Sequence, residues 1–515
     1  MPEQIRVWLV GAGPGDPGLI TVHGLALLRD ADVVLYDALA HPALLEECRK
    51  DAMLLSVGKR YAAHSVEQPE IIRLLLEHAR AGRMVVRLKG GDPFLFARGA
   101  EEAEALANAQ IPFGIVPGVC SPMGKAAYAG FSLTHRDMSS SVTFVTGTDK
   151  HGNPHAPEAW HRLAKAGDTL CILMGMRRIA DITKALLDGG RAATTPTCII
   201  EWGTRAEQRV LTGALAHIAD LARDNGYKNP AVIVVGDVVT LREKLRWYDN
   251  RPLFGKRLLL PRAANQAAAT AQLVRERGAE PLCMPLISIE DPPDLERVHE
   301  AARNLRTYDW IVLTSANGAE RLLAALAHER LDARAFGCAK IGVIGPKTAE
   351  PLRRFGITPD LIAKEYVAEG LLDALLSQDQ QPLRRALVFR AAEAREVLPE
   401  QLRAHGVEVD VVAAYQTRRL GEQSAERLGE MIVQHQVDAV LVTSSSIAEA
   451  IVNALGPTAR TQLSQVTVAS IGPITTQTLG QLGMRVDLTA SEHTIPGLLD
   501  ALESHMLGQQ QPNPC

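Results

Sequence analysis

The sequence predicts an α/β protein whose sheets carry functional loops at the carboxyl ends of their strands. The first sign is a strand, turn, helix and strand over residues 5–37, in which apolar runs at 5–10 and 32–36 flank a helical stretch at 21–29. The second sign is a repeat of strand, turn and helix patterns in the second half of the chain. Together these patterns predict parallel sheets arranged in more than one lobe.

Composition narrows the class of protein. A chain of 515 residues suggests roughly three or four domains. Hydrophobic residues make up 46% and charged residues 22%, which is a globular balance. The net charge of −4 argues against a general nucleic-acid binder. Because neither a leader pattern nor an apolar run of membrane-spanning length is visible, we expect a cytoplasmic protein without a membrane partner.

The seven cysteines are scattered singly along the chain. None of them forms a C-x-x-C motif or a Cys/His spacing typical of a metal site. The sequence therefore predicts neither a disulfide framework nor a zinc site, and we expect ordinary buried thiols and no metal.

The turn after the first strand supports conflicting interpretations. Gly13, Gly15 and Gly18 fit the G-x-G-x-x-G spacing of dinucleotide-binding proteins, and Asp37 follows about twenty residues later. Pro14 and the proline at position 17 each remove an N–H group and fix φ, whereas a pyrophosphate needs free N–H groups at a helix N-terminus. A nicotinamide site and a purely structural turn without a ligand both remain open.

A second glycine-rich loop follows the strand predicted at 84–88. Gly90, Gly91 and Asp92 form a turn before a helical run at 99–106, and adjacent glycines allow a ligand to approach the backbone. A plain Asp-Pro turn is the alternative, but two such loops at neighbouring strand ends favour a binding site. A third loop, VPGVCSPMG, ends in Lys125; its glycine spacing and the residue after the lysine do not match a phosphate loop.

These motifs occur in a specific order over residues 5–248. This half resembles uroporphyrinogen-III C-methyltransferase of the tetrapyrrole methylase family through the motifs VGAGPGDPGLIT, LYD, VGKR, VRLKGGDPFLFARGAEE, VPGV, LTHRD and IEWGT. The resemblance implies a two-lobed fold, S-adenosylmethionine as methyl donor, and a homodimer formed through this half. It also implies two methylations of uroporphyrinogen III, on rings A and B, to give precorrin-2 for sirohaem or cobalamin.

The resemblance also implies roles for individual residues. Asp37 and Lys59 match the family's proton acceptor and donor, although Asp37 could instead cap the following helix. Together with Lys59, the cations Arg60, Arg98 and Arg136 could bind the substrate carboxylates, or form a solvated rim. The donor contacts match Pro14, Gly90, Gly91, Asp92, Leu95, Cys120, Ser121, Met174 and Gly203.

Two positions depart from the family pattern. Relatives usually carry Thr-Ala where this chain has Cys120-Ser121, so a contact to the donor is rearranged or made by backbone alone. Trp202 stands where a polar or charged residue is common.

The second half begins after a polar stretch at 249–256, which we interpret as a linker. A strand at 256–261 and a helix at 266–277 open the new fold. YDWIVLTSAN at 308–317 recurs as VDAVLVTSSS at 437–446, and an Ile-Gly-Pro-x-Thr turn also occurs twice. Two similar α/β lobes with such loops predict a cleft for a large anionic ligand.

This half, residues 257–505, resembles uroporphyrinogen-III synthase through TSANGAERL, IGPKTA, AAYQTRR, VTSSS and IGPITTQTL. The resemblance implies interleaved lobes, one from 257–287 plus 416–505 and the other from 288–415, followed by a polar tail at 506–515. Tyr415 matches the family's cleft tyrosine, which assists departure of the hydroxyl of hydroxymethylbilane; an ordinary strand aromatic is the alternative. Carboxylate binding is assigned to Ser315, Ser444, Gly472 and Thr475.

The two halves make chemical sense together, because the cyclised product of the synthase is the substrate of the methylase. The expected protein is a bifunctional enzyme of tetrapyrrole biosynthesis with small-molecule substrates. Two alternatives remain: a second half that binds tetrapyrroles without catalysis, and a first half that is a dinucleotide-dependent oxidoreductase.

Overall fold

The fold is described from a computed structural model that places residues 5–58, 67–148, 155–261, 264–365, 367–377, 383–394, 396–419 and 422–510. The chain divides into two compact units. The first comprises Met1–Arg257, Val274–Glu280 and Gln510–Cys515, and the second Leu258–Leu273 and Pro281–Gln509.

The first unit begins with a five-stranded parallel sheet of order β3-β2-β4-β1-β5. Its central strands are almost wholly buried, as expected for a parallel sheet covered on both faces, and they are apolar except for Arg87 and Lys89 in β4. The elements are β1 (Val7–Gly11), α1 (Val22–Asp30), β2 (Val33–Tyr36), α2 (Pro42–Leu45), β3 (Met53–Ser56), α3 (Gln68–Arg80), β4 (Val85–Lys89), α4 (Gly99–Asn108) and β5 (Phe113–Val116).

A second five-stranded sheet, of order β6-β7-β10-β8-β9, completes the first unit. Strands β6 and β7 are parallel, and β10 runs antiparallel between β7 and β8, so β6, β7 and β8 end at the same sheet edge. The elements are α5 (Ser121–Ala129), β6 (Val142–Thr146), α6 (Pro157–Lys165), β7 (Thr169–Leu173), α7 (Ile179–Asp188), β8 (Pro196–Glu201), β9 (Arg209–Ala214), α8 (Ile218–Asp224), β10 (Ala231–Val235) and α9 (Arg242–Leu245).

The segment predicted as a polar linker, 249–256, packs as part of the first unit. Asp249 is paired with Arg242 and lies 2.9 Å from Nε of Arg246, and Leu253 is completely buried. The paired charges and the buried leucine hold this segment in place, which composition alone did not indicate.

The second unit contains two α/β lobes, as the internal repeat predicted. The sheets have the orders β12-β11-β19-β20-β21 and β13-β18-β17-β14-β15-β16. The first lobe draws on both ends of this half of the chain, so the lobes are interleaved. Its elements are β11 (Arg257–Leu260), α10 (Ala264–Glu276), β12 (Glu280–Cys283), and then α16 (Glu422–Val433), β19 (Ala439–Val442), α17 (Ser445–Leu455), α18 (Ala459–Leu463), β20 (Thr467–Ser470), α19 (Pro473–Gln481), β21 (Leu488–Thr489) and α20 (Ile495–Gln510).

The other lobe is built from the chain between these two parts. Strand β13 pairs antiparallel with the end of β18, while the remaining neighbours in the sheet are parallel. Its elements are β13 (Ile287–Glu290), α11 (Leu295–Arg303), β14 (Trp310–Leu313), α12 (Ala316–His328), β15 (Lys340–Val343), α13 (Pro346–Arg354), β16 (Leu361–Ile362), α14 (Ala368–Leu376), β17 (Arg385–Ala391), α15 (Val397–Ala404) and β18 (Glu408–Arg419).

The sequence repeat is reproduced in detail by the structure. Asp360 accepts a 2.8 Å hydrogen bond from the amide of Ile341, and Asp487 accepts one of the same length from Val468. Ser315 and Ser444 cap the equivalent helices α12 and α17. The two lobes therefore share a local architecture as well as a strand order.

Three further findings concern the described part of the chain. The last helix extends to Gln510, so it includes the start of the segment predicted as a tail. Among the described residues, no helix has the length and apolar character needed to cross a membrane. The cysteines that are described are free; Cys120, Cys171 and Cys198 are buried, whereas Cys338 is exposed, contrary to the expectation of uniformly buried thiols.

Candidate functional sites

Three loops of the first unit meet where β1, β4 and β5 end. The amide of Gly13 donates to the carbonyl of Gly91 at 3.2 Å, and the amide of Gly91 donates back at 2.8 Å. Asp92 joins the third loop, because its Oδ2 accepts a 3.0 Å hydrogen bond from the amide of Gly118. Its other oxygen accepts from the amide of Phe94, so the Asp-Pro turn is also present. The two predicted glycine loops are thus joined through their backbones.

Glycine is required for steric reasons where these loops cross, at Gly11, Gly91 and Gly118, which we call the glycine crossing. A Cβ atom on Gly11 would lie 2.6 Å from the Cα of Gly118, and one on Gly118 would collide with the carbonyl of Gly91. Gly91 has φ +71°, in the left-handed region that glycine tolerates. The loops therefore present backbone groups where side chains would otherwise stand.

The N–H groups of the first turn are used within the protein. Asp16 occupies the position before a short 3-10 turn, Pro17–Leu19, and its Oδ1 accepts from the amide of Gly18 at 2.8 Å. Its own amide donates to Oγ1 of Thr204 at 2.9 Å, and its Oδ2 accepts from the hydroxyl of Tyr128 at 2.7 Å. The amides of Asp16 and Gly18, which a bound pyrophosphate would need as donors, are thus already bonded within the protein.

The second sheet contributes loops to the same region. Gly203 and Thr204 follow β8, and a Cβ atom on Gly203 would lie 2.5 Å from Cγ of Lys125 in α5. Pro14 packs on the same helix, since a Cβ atom on Gly124 would lie 2.5 Å from its Cγ. Met174 follows β7 at the same sheet edge and is 49% exposed. Loops from both sheets therefore converge on α5.

Unusual backbone conformations cluster in these loops. Phe96, Arg98, Met174, Trp202 and Thr204 are non-glycine residues with φ between +50° and +72°. Such conformations are costly and concentrate at functional sites, where the surrounding structure maintains them. Their distribution supports the loops as a candidate ligand site.

Cys120 and Ser121 open α5 beside the second glycine loop. Cys120 is the N-cap residue but makes no capping side-chain bond, and burial raises the pKa of its thiol. The Oγ of Ser121 would lie 3.3 Å from a Cβ atom on Gly91. The departure from Thr-Ala therefore places a buried neutral thiol and a hydroxyl at the start of this helix.

Asp37 follows β2 and is joined to a buried network of charges. Its Oδ1 accepts a 2.6 Å hydrogen bond from Nη2 of Arg87, whose side chain is 2% exposed. Glu102, which is completely buried, accepts from Arg87 at 3.3 Å and from Lys89 at 2.8 Å. The following helix α2 is capped by His41, so Asp37 does not serve as its cap. The network holds the carboxylate of Asp37 in one position.

Two further cations lie beside the converging loops. Lys125 is 5% exposed, and burial, together with the charge of Arg205, lowers its pKa to about 8. Lys125 makes no hydrogen bond or ion pair with any residue in the described ranges. Arg205 donates to the carbonyl of Leu39 at 2.8 Å and thereby ties the two sheets together.

The remaining residues predicted for the first site are more scattered. Leu95 is half-buried in the loop before α4, and Gly90 lies against Leu39. Arg98 is 57% exposed and pairs with Glu101 at 2.6 Å. Arg136 lies exposed in the turn between His135 and Ser139. The predicted residues Lys59 and Arg60 lie outside the described residues.

In the second unit the structure brings together two predicted residues that are distant in sequence. The hydroxyl of Tyr415 donates a 3.1 Å hydrogen bond to Oγ of Ser315. Ser315 Oγ also accepts from the amide of Gly318 at the start of α12. Tyr415 is 7% exposed, so most of its side chain is buried.

The other predicted residues lie at equivalent places in the partner lobe. Ser444 caps α17, and Gly472 occupies the N-cap position of α19. Thr475, in the first turn of α19, is 5% exposed. Arg390, near the end of β17, is buried and donates to the carbonyl of Ala394 at 2.8 Å. Each lobe thus presents hydroxyl and backbone groups at helix N-termini, where anions are stabilised.

Sequence reasoning missed several residues that shape the first site. Lys89 and Glu102 lie within the motif VRLKGGDPFLFARGAEE and Arg205 directly follows IEWGT, but neither motif indicates which partner each side chain contacts in the fold. The alternation V-V-R-L-K in β4 was an available signal, since cations in a central parallel strand need buried partners.

Comparison with known proteins agrees with this two-part architecture. Residues 6–219 match the family of tetrapyrrole (corrin/porphyrin) methylases, and residues 268–500 match the uroporphyrinogen-III synthase HemD family. The porphyrin biosynthesis protein HemD of Ruminiclostridium josui is 34% identical over 504 residues, which cover 97% of this chain and 98% of that protein.

Other relatives match about half of the chain. Siroheme synthase 2 of Aeromonas salmonicida (strain A449) is 52% identical over 250 residues, which cover 48% of this chain and 51% of that protein. A crystal structure of uroporphyrin-III C-methyl transferase from Thermus thermophilus, complexed with S-adenyl homocysteine, is 38% identical. It covers 46% of this chain and 99% of that chain, with a TM-score of 0.41. The full-length match and the two family matches confirm the predicted organisation: the chain belongs to the family of porphyrin biosynthesis proteins in which a tetrapyrrole methylase domain precedes a HemD-type uroporphyrinogen-III synthase domain.

Proposed function

We propose that the chain is a bifunctional enzyme that catalyses two consecutive steps of tetrapyrrole biosynthesis. The second unit cyclises hydroxymethylbilane to uroporphyrinogen III with inversion of ring D. The first unit methylates that product on rings A and B to give precorrin-2, for sirohaem or cobalamin. The convergence of the glycine loops and the loop after β8 on α5 is the observation that carries the methylase proposal.

The first unit holds S-adenosylmethionine in this proposal, and the donor supplies an electrophilic methyl group. The predicted contacts Pro14, Gly91, Asp92, Ser121 and Gly203 all belong to the converging loops. The fit rests on the glycine crossing, because glycines without side chains allow a ligand to approach the backbone closely. Gly90, Leu95, Cys120 and Met174 complete the proposed donor contacts.

The alternative of a dinucleotide site is disfavoured by the use of the first turn. The amides of Gly13, Asp16 and Gly18 already donate within the protein, and two prolines of the turn have no amide hydrogen. The Asp16 carboxylate would also repel a pyrophosphate. Tight NAD binding without S-adenosylmethionine binding would restore the oxidoreductase alternative.

Methylation of a pyrrole carbon requires that a proton be lost or relocated afterwards. We assign this proton to Asp37, whose carboxylate is 30% exposed and held by Arg87. A fixed position is what a general base needs in order to act on one particular carbon. Lys59 is proposed as the proton donor, and Arg60, Arg98 and Arg136 as partners of the substrate carboxylates.

In the second unit, Tyr415 is proposed to assist departure of the substrate hydroxyl. Its phenol already donates to Ser315, so a polar group is available there to orient it. Ser315, Ser444, Gly472 and Thr475 are proposed to bind substrate carboxylates at the starts of their helices. A binding module without catalysis would need these anion contacts but not the Tyr415 hydroxyl.

A coupled assay of the purified chain tests both activities. Hydroxymethylbilane is supplied with and without S-adenosylmethionine, and the products are resolved by mass and isomer. The proposal expects the type III isomer without the donor and a doubly methylated product with it. Only the spontaneously formed type I isomer would leave the second unit as a binding module.

The organisation of the chain is also a proposal. We propose a methylase domain at 1–248, a connecting segment at 249–256, a synthase domain at 257–505 and a terminal segment at 506–515. The lobes of the synthase are 257–287 plus 416–505, and 288–415. The division of the chain near Arg257 supports the main boundary. We further propose a homodimer through the methylase half, to be tested by light scattering of the eluted protein.

A further inference from the structure

Two histidines and a glutamate meet at the end of helix α12 in the second unit. Nδ1 of His299, from α11, lies 3.1 Å from Oε1 of Glu329. Nδ1 of His328, the last residue of α12, lies 3.3 Å from the same oxygen. One ring nitrogen from each histidine and one oxygen of Glu329 lie within 4.8 Å of one another. The three side chains thus direct potential metal ligands to one point.

His299 contributes an unsatisfied nitrogen to this cluster. Its side chain is 12% exposed, and its Nδ1 atom is buried without a hydrogen-bond partner among the described residues. The short distance to Glu329 therefore lacks the geometry of a hydrogen bond. A buried polar atom of this kind calls for an explanation, and a missing ion is one of the few available.

The distances fit a small tetrahedral ion. Zinc binds imidazole nitrogen and carboxylate oxygen at about 2.0–2.2 Å, so two ligand atoms at a tetrahedral angle stand about 3.4 Å apart. The two nitrogen–oxygen distances of 3.1 and 3.3 Å are close to this separation between ligand atoms. Two imidazoles and one carboxylate leave a fourth position for water, as in many zinc sites.

The local charges also favour a cation. Arg303 holds the other oxygen of Glu329 at 3.1 Å and pairs with Glu296 at 2.5 Å. With neutral imidazoles, these two carboxylates and one guanidinium leave a net negative charge. Helix α12 ends here, and the carbonyl end of a helix attracts positive charge. Arg303 contacts Oε2, so Oε1 is the oxygen that faces the histidines, where it now shares a 3.3 Å hydrogen bond with Nδ1 of His328 that an ion would replace.

We propose that His299, His328 and Glu329 bind a divalent transition-metal ion of the zinc class, which joins α11 to the end of α12. Imidazole ligands favour zinc, copper or nickel over magnesium or calcium, which prefer oxygen. The ion has a structural role, since Ser315 caps the opposite end of α12, roughly 20 Å away for a helix of this length. The proposal does not depend on either enzymatic activity.

Calorimetry of the full chain, after removal of metals by a chelator, tests the proposal with Zn²⁺ alone as the probe. We expect one ion per chain, with binding weakened at least about tenfold by His328→Ala or by Glu329→Gln. Two matched controls, His405→Ala and Cys338→Ser, change exposed metal-binding side chains elsewhere and should bind as wild type. Unchanged binding in the His328 and Glu329 variants, or no binding by the wild type, would overturn the site.

A second measurement reports the ligands directly. Co²⁺ in a four-coordinate site gives intense visible absorption, and sulfur ligands add bands at shorter wavelength. We expect the visible absorption without the sulfur bands, and its loss in His299→Ala. Should that buried substitution prevent folding, the exposed His328 carries the same test, because its side chain is 70% exposed. Six-coordinate spectra, or sulfur bands, would contradict the proposal.

Discussion

The hydroxyl of Tyr415 donates to Oγ of Ser315 at 3.1 Å, and thereby joins the long strand β18 to the start of helix α12. The two residues belong to separate motifs and are 100 positions apart in the sequence. Their contact shows that the motifs of this lobe converge at the carboxyl end of β14, where the fold places ligand-binding loops.

Replacing Tyr415 by Phe removes this hydroxyl with little change in shape. We expect formation of the type III isomer to fall about a hundredfold or more, because a proton donor near the leaving group is lost. Methylation of supplied uroporphyrinogen III should be unchanged. Tyr308→Phe is the matched control, since its hydroxyl binds Asp410 at 2.8 Å at the other end of the sheet. An undiminished synthase rate in Tyr415→Phe would refute the catalytic role.

Substituting Gly118 by Ala tests the glycine crossing. The added methyl group would collide with the carbonyl of Gly91, so the loops must separate. We expect loss of S-adenosylmethionine binding by calorimetry, while urea unfolding still shows a cooperative transition of the first unit as evidence that this unit is folded. Gly82→Ala is the control, because a Cβ atom there meets no neighbour within 4 Å although φ is +77°. Normal donor binding by Gly118→Ala would mean that the crossing is not part of the donor site.

Neutralising Glu102 tests the buried network behind Asp37. Glu102→Gln leaves Arg87 and Lys89 buried with one carboxylate fewer, at a cost of about 3–5 kcal/mol. Burial and the nearby charge of Arg87 already lower the pKa of Lys89, so the cost should decrease as Lys89 deprotonates at alkaline pH. Urea unfolding of the first unit measures the loss.

The control for this variant is Glu104→Gln, on the exposed face of the same helix, where a change below about 0.5 kcal/mol is expected. Reduced methylation with unchanged donor affinity would indicate that Asp37 has also moved. A loss of stability no larger than in Glu104→Gln would show that the network is not stabilising.

Lys125 predicts a specific dependence of stability on pH. Its pKa of about 8 in the folded protein is below its ordinary value near 10.4. Between these values the unfolded chain holds a proton that the folded chain has released, so stability rises with pH across this window. Below pH 8 the protonated, buried Lys125 destabilises the folded protein by the full amount, roughly 3 kcal/mol.

Lys125→Met should therefore raise the urea midpoint of the first unit at pH 7 and lose this advantage by about pH 10.5. Unfolding of this unit is measured by the loss of protection of the Cys198 thiol, which is buried in the folded protein. Lys184→Met is the control, because that side chain is 76% exposed. An equal gain at both pH values would assign the effect to packing and not to charge.

Local patterns predicted the strands and helices well. The unit predicted at 5–37 has its strands at Val7–Gly11 and Val33–Tyr36, within two residues of the expected ends. The reason is that apolar runs and glycine turns act over a few residues. The repeat likewise identified two α/β lobes, because each copy contains its own strand, turn and helix.

Long-range partners could not be predicted in this way. The pairing of Lys89 with Glu102, and the meeting of His299 with His328, depend on how helices pack on sheets. No spacing rule connects these residues, so the sequence predicted no metal site and the buried charges went unnoticed. Interleaving of the lobes was inferred from family resemblance alone, since pairing between distant strands leaves no periodic signal.

The interleaved sheet constrains the order in which this protein can fold during synthesis. Strand β11 lies beside β19, and Leu258 pairs with Ala439, about 180 residues later. Because the ribosome adds about 5–20 residues per second, β11 waits on the order of ten seconds or more until its neighbour has been synthesised. The lobe from β13 to β18 is complete before then. A nascent chain halted before β19 should therefore contain one finished lobe and an exposed apolar strand, a form suited to capture by chaperones.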